Sequence, residues 1–262
     1  MFRCATAALA ALLFLSVSAC SSAEGNGPSD STTPPKLGAC RALEPADIRQ
    51  STNDTSVVSC KKPHTAETFL VSTFTGEYAE GEIDDEKLGA FVYDSCQQGF
   101  MDFLGGDESL VKRSTLTWAW FRPSEKGWDK GARWFRCDVI GGGEQSKTFV
   151  NLPATAEGVL LGRPDDRWLV CAVGPTVDGS VKVPCSDKHD WRAISTIVLG
   201  KPDDPYPGDQ LVKVKSRDFC SDQVGAWLNY PVEDYEFGFT WFHEGEWKAG
   251  NRRSICWART PT

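Results

Sequence analysis

The sequence predicts an α+β protein made of two tandem copies of one small domain, each an antiparallel sheet packed against one helix in the order β-β-β-α-β-β. Three observations predict it: a cysteine pattern that occurs twice, residue landmarks that recur at matching intervals, and a hydrophobic period that changes in the same place in both halves. Cys40, Cys60, Cys96 and Cys137 are echoed by Cys171, Cys185, Cys220 and Cys256. Cys60-Lys-Lys-Pro-His64 matches Cys185-Ser-Asp-Lys-His189, and Gly76 and Gly200 precede Cys96 and Cys220 by the same interval. Trp120-Phe121 matches Trp241-Phe242, and Trp128, Gly131, Arg133 and Cys137 recur as Trp247, Gly250, Arg252 and Cys256. The copies span 37–143 and 166–260. Between them, 144–165 reads as a linker whose apolar piece, Gly158 to Gly162, packs on a domain.

Each element has a local reason. Val57–Cys60 and Val181–Cys185 read as short strands, and Thr68–Phe74 and Ala193–Leu199 as longer β-branched ones. Asp84-Asp85-Glu86 then opens a helical pattern in which Phe91, Val92, Cys96, Phe100, Phe103 and Leu104 recur at three- and four-residue steps. Acids in a first turn suit the helix dipole. In the second copy Ser216 reads as the N-cap ahead of Phe219, Cys220, Val224, Trp227 and Leu228. A hairpin closes each copy, over 114–122 and 132–139 in the first and over 237–243 and 252–258 in the second.

The N-terminus reads as an export signal. Arg3 precedes an apolar stretch from Ala5 to Val17 that is too short to span a bilayer. The end of the segment, Val17-Ser18-Ala19-Cys20, resembles a bacterial lipobox, which makes 1–19 a signal peptide and Cys20 the lipidated residue, carrying acyl chains such as palmitate. Residues 20–36 hold only small, polar and Pro residues after Cys20 and read as a disordered tether. The expected location is extracytoplasmic, on the outer face of the cytoplasmic membrane. With 36 acids against 28 Lys and Arg and a net charge of −8, the chain lacks the cationic excess that binding to nucleic acid demands.

Once Cys4 leaves with the signal and Cys20 takes lipid, eight of the ten Cys remain. Eight thiols permit 105 pairings, but four within one copy permit three, and the duplication asks both copies to share one. Neighbouring strands bring Cys40 to Cys60, and a helix on the final hairpin brings Cys96 to Cys137, which favours 40–60, 96–137, 171–185 and 220–256.

The second Cys followed at four residues by His, the helical Cys and the Trp-x2-Gly-x-Arg-x3-Cys ending resemble the septum-formation domain family of actinobacterial envelope proteins, in both copies. The second copy departs from the pattern, with Asp190-Trp191-Arg192 after its His where the first has Thr65-Ala66-Glu67. The resemblance implies an extracytoplasmic, non-enzymatic module linked to cell division or the envelope. Its partners would be an envelope or division protein or a cell-wall glycan.

Candidate chemistry is sparse. Cys60 and His64, like Cys185 and His189, have zinc-ligand types, but a structural zinc site needs four ligands and the thiols have disulfide partners. His64 and His189 instead read as turn caps, with ligand contact as the sharper alternative. No G-x-S-x-G elbow occurs, His243-Glu244 lacks the second His of a zincin, and a Cys-His wall hydrolase needs a free thiolate. No catalytic residue, metal or cofactor is expected; a wall hydrolase and a purely structural surface lipoprotein stand as alternatives. The acidic loops around Glu77–Glu86 and Asp203–Asp209 match no calcium-loop spacing. Trp118 and Trp120 share one strand face, expected to be the core. The tryptophans read as packing or as a recognition surface, and of them Trp128 and Trp247, at the hairpin turns with Arg133 and Arg252 as cation-π neighbours, are the better surface candidates.

Overall fold

The computed structural model describes residues 28–143, 146–201, 203–231, 234–248 and 250–262. The signal segment, Cys20 and the start of the tether lie outside the described residues. The chain is mixed α+β, with two five-stranded antiparallel sheets, each with a long helix on one face. In the N-terminal unit β1 (Cys40–Arg41), β2 (Val57–Val58) and β3 (Ala66–Thr73) lead into α1 (Asp85–Leu104). The short α2 (Glu108–Lys112), β4 (Thr117–Phe121), α3 (Glu125–Asp129) and β5 (Trp134–Ile140) follow. The C-terminal unit runs β6 (Val170–Val173), β7 (Val181–Pro184), β8 (Trp191–Val198), α4 (Asp209–Trp227), β9 (Phe237–Thr240), α5 (Glu244–Lys248) and β10 (Arg253–Arg259). The strand orders are β2-β1-β3-β5-β4 and β7-β6-β8-β10-β9, the same arrangement.

Likeness extends to detail. The register between β3 and β5 shifts at Thr68/Leu70, and that between β8 and β10 shifts at Cys256/Trp257, so Phe69 and Ile194 occupy matching bulges. Four disulfides join Cys40 to Cys60, Cys96 to Cys137, Cys171 to Cys185 and Cys220 to Cys256. Cys96 and Cys220 are fully buried on the inward faces of α1 and α4, so in each unit one bridge bolts the helix to a sheet strand.

The structure differs from the sequence reading in three places and carries it further in a fourth. Register pairs Trp120 with Cys137 but Phe239 with Cys256, so Trp241-Phe242 is not the counterpart of Trp120-Phe121; it falls two residues later, in the turn before α5. Ser216 is not an N-cap. Gly208 precedes α4, and Ser216 is buried inside the helix, donating to the Val212 carbonyl at 2.7 Å. Third, the expected tether is not free along its whole length. Ser29 is buried and donates from its N–H to Asp54 at 2.8 Å, and the Trp134 indole donates to the Ser31 carbonyl at 2.8 Å. A Cβ at Gly127 would stand 2.6 Å from the Ser29 carbonyl, so only glycine admits this approach. Fourth, 144–165 belongs in part to the first core: Leu152, Ala156 and Leu160 are buried there, and the buried Glu67 carboxylate accepts from the Thr155 hydroxyl and the Ala156 N–H.

The units are tied to each other through α2. The Thr115 N–H donates to the Trp168 carbonyl (2.9 Å), the Val170 N–H donates to the Arg113 carbonyl (2.8 Å), and Arg253 pairs with Glu108 at 2.7 Å. Trp168 lies in the first unit's core cluster.

Candidate functional site

The matched tryptophans occupy α3 and α5, one-turn helices inside what reads from sequence as a simple hairpin turn. Ser124 caps α3 by accepting from the Gly127 N–H, which swings Trp128 inward. Both indoles are 5% exposed, a correction to their reading as a recognition surface. Each is covered by its arginine, with the Arg133 guanidinium 4.0 Å from the Trp128 ring and that of Arg252 3.6 Å from Trp247. Arg133 also donates to the Ala79, Trp128 and Ala132 carbonyls at 2.6–2.7 Å. Arg252 donates to the carbonyls of Trp247 and Asn251. These are clasps that cap a short helix and seal an aromatic core, not rings laid open on the surface.

His64 and His189 are also buried. Each Nδ1 faces the carbonyl two residues back, Lys62 at 2.8 Å and Asp187 at 2.7 Å, so each imidazole closes the turn after its disulfide. Cys60 and Cys185 are oxidised and offer no thiolate. Among the described residues no group of three or more His, Cys, Asp or Glu converges on a metal position, and no helix is long and apolar enough to cross a membrane.

A groove of about 430 Å³ lies open to solvent on the N-terminal unit, along the outer edge of β4. Trp118 and Trp120 point from that strand toward α1 and form its aromatic wall, partly buried against the first core. The Trp118 indole donates to Gln97 Oε1 at 2.9 Å, and Tyr93, 37% exposed, meets Trp118 edge-on at 5.7 Å. The loop Ile48–Ser51 forms one end, with Arg49 exposed. Lys112 lies in the wall. Burial lowers its pKa; Glu108 and Glu246 oppose that, and Arg253 adds to it. Burial also raises the Tyr93 hydroxyl, helped by Glu108 and Asp94. Aromatic rings, a side-chain amide and two cations in one concavity suit a partner with flat apolar surface and negative charge.

A model of the family described as septum formation matches residues 37–256. The chain belongs to the septum-formation family. That membership relates it to cell division. One match runs across both sheets, so the family's shared region here comprises both units. No curated protein and no solved structure matches the chain.

Within this family member the two units differ behind the sheets. In the first, Arg136 donates to Asp138 Oδ2 at 2.9 Å and to Asn53 at 3.0 Å, Thr68 donates to Asp138 Oδ1 at 2.6 Å, and Arg41 donates to Thr68 at 2.9 Å. Two buried guanidiniums thus share one buried carboxylate. Burial, then the like charge of Arg136, lowers Arg41 to about 10 against the pull of Asp138. Register places Ala172, Ala193, Ile255 and Trp257 at the positions of Arg41, Thr68, Arg136 and Asp138, and these form an apolar cluster. Neither the groove nor this charge cluster is evident in the linear pattern, because each is assembled from segments far apart in sequence.

Proposed function

We propose that the chain is a lipid-anchored, non-enzymatic recognition module of the cell envelope, two copies of one disulfide-stapled domain, acting in septum formation through the β4 groove. The family match carries the process, and the groove carries the molecular role as an open concavity in which three aromatic and two cationic side chains meet. Four disulfides support an oxidising, extracytoplasmic setting, since such bonds persist there and not in a reducing cytosol. The lipobox ending at Cys20 supports anchoring at the outer face of the cytoplasmic membrane. Oxidation of all eight body cysteines, and burial of His64 and His189 in their own turns, support a non-enzymatic role. The partner is an envelope or division protein or a wall glycan that presents negative charge to Arg49 and Lys112.

Photo-crosslinking in living cells tests the reading. A photoreactive residue in place of Tyr93, at the groove, should yield discrete adducts, whereas one in place of the exposed Trp227 should not. Equal adducts from both positions, or none from Tyr93, would remove the groove from consideration. Isolated wall incubated with the purified protein should show no clearing on zymograms.

A further inference from the structure

The N-terminal unit fills the space beside its clasp with rings. Phe74 lies 5.8 Å from Trp128 and 5.7 Å from Phe91, while Phe91 meets Tyr78 at 4.5 Å and Phe135 at 6.1 Å. The second unit lacks most of them. Counting back from the helix cysteines Cys96 and Cys220, Lys215 stands where Phe91 does; counting back from Cys137 and Cys256, Ser254 stands where Phe135 does. Phe74 corresponds to Leu199, since their N–H groups donate to the carbonyls of Arg133 and Arg252. Two rings are returned: Tyr206, edge-on to Trp247 at 5.7 Å with its hydroxyl held by Asp209, and Phe242, 5.6 Å from Trp247 where the first unit has Pro123.

The deficit leaves a pocket of about 170 Å³ lined by Leu199, Pro205, Pro207, Val212, Lys215 and Trp247. An apolar cavity of about 150 Å³ holds a benzene ring. Asp204, on the same wall, accepts from the Lys201 N–H at 2.8 Å. Lys215 is exposed and forms no ion pair among the described residues. Volume therefore suits a ring, and the ammonium group beside it suits an anion.

We infer that this pocket binds an aromatic ring carrying a nearby carboxylate, the ring seated where Phe91 lies in the first unit and the carboxylate paired with Lys215. The site is separate from the β4 groove and does not depend on that assignment. Two sources present such chemistry, a free aromatic acid and a partner protein's aromatic side chain next to an acidic one.

The test follows the Trp247 indole N–H by NMR in the full chain, with phenylacetate, acetyl-Asp-Phe-amide, phenethylammonium and acetate as probes. Phenylacetate or the dipeptide should move that resonance saturably, and the tighter of the two names the source. Phenethylammonium should bind at least several-fold more weakly than phenylacetate, and acetate should leave the indole unmoved. Lys215→Phe rebuilds the first unit's packing and should raise the melting temperature while abolishing binding. Leu199→Phe fills the same space from the wall and should reduce binding even if the Lys215 variant does not fold. No saturable shift with either acid, equal binding of the cationic probe, or undiminished binding in Leu199→Phe would overturn the assignment.

Discussion

Removing the Arg133 guanidinium takes a charged donor from the Ala79 and Ala132 carbonyls, leaves the Trp128 carbonyl to backbone donors alone, and uncovers the Trp128 ring in one step. Hydrogen bonds from a charged donor contribute roughly 1.5–3 kcal/mol, and a desolvated cation-π contact up to about 2. Arg133→Ala should therefore lower the urea unfolding free energy by about 2–4 kcal/mol, with Arg133→Lys restoring little because a point ammonium cannot span diverging carbonyls. A second residue-scale expectation concerns acid. Arg122 donates to Asp85 at 2.5 and 3.1 Å and holds that carboxylate below its ordinary range. A folded pKa depressed in this way adds stability above the unfolded value of about 3.9, which is lost as pH falls through the folded one. Denaturant midpoints measured from pH 6 down to pH 2 should fall for the wild type and fall less for Asp85→Asn.

At the scale of elements, the disulfides differ in the length of chain they close. Cys96–Cys137 spans 41 residues and Cys171–Cys185 spans 14. The chain-entropy model assigns them about 4 and about 3 kcal/mol. Replacing each pair with Ser should lower thermal stability in that order, as read by calorimetry. The charged cluster behind the first sheet is more sensitive still. Asp138→Ala leaves Arg41 and Arg136 buried with no counter-charge, and loss of one partner from such a group costs about 3–5 kcal/mol. The apolar quartet of the second unit, Ala172, Ala193, Ile255 and Trp257, meets the same packing demand without charge.

This contrast also explains what could be read from sequence. The cysteine pairing is legible because a cysteine pattern that recurs in both halves cuts the alternatives to three and the switch from strand period to helix period places each partner. The inward turn of Trp128 was harder to read, because α3 is a single turn. Its one sequence signal, Ser124 ahead of Glu125 as an N-cap and first-turn acid, sits inside a stretch that otherwise reads as hairpin. Ser216 misleads for the opposite reason: a serine before an apolar run resembles a cap, yet here it packs against Ser254, its Oγ 2.7 Å away, where the first unit has Val92 and Phe135. The groove has no local signal, since Ile48, Tyr93, Lys112 and Trp118 come from four segments that meet only in the folded chain.

For the whole molecule, α2 and the Trp168 segment join two sheets that one family model spans. The account places that pair on a lipid tether facing the envelope. Cys20→Ala should release the protein from membranes or block its processing, as read by fractionation and intact mass. Unchanged membrane association with unchanged mass would refute the anchor. The most direct test of the central claim, recognition at the division site through the β4 groove, is septal enrichment of the anchored full chain as a fluorescent fusion. Arg49→Glu with Lys112→Gln removes the groove's positive charge without placing another carboxylate beside Glu108 and Glu246. The account predicts that this double variant melts within a few degrees of the wild type, stays on the membrane and loses its enrichment at septa; undiminished septal enrichment of the folded, anchored variant would contradict it.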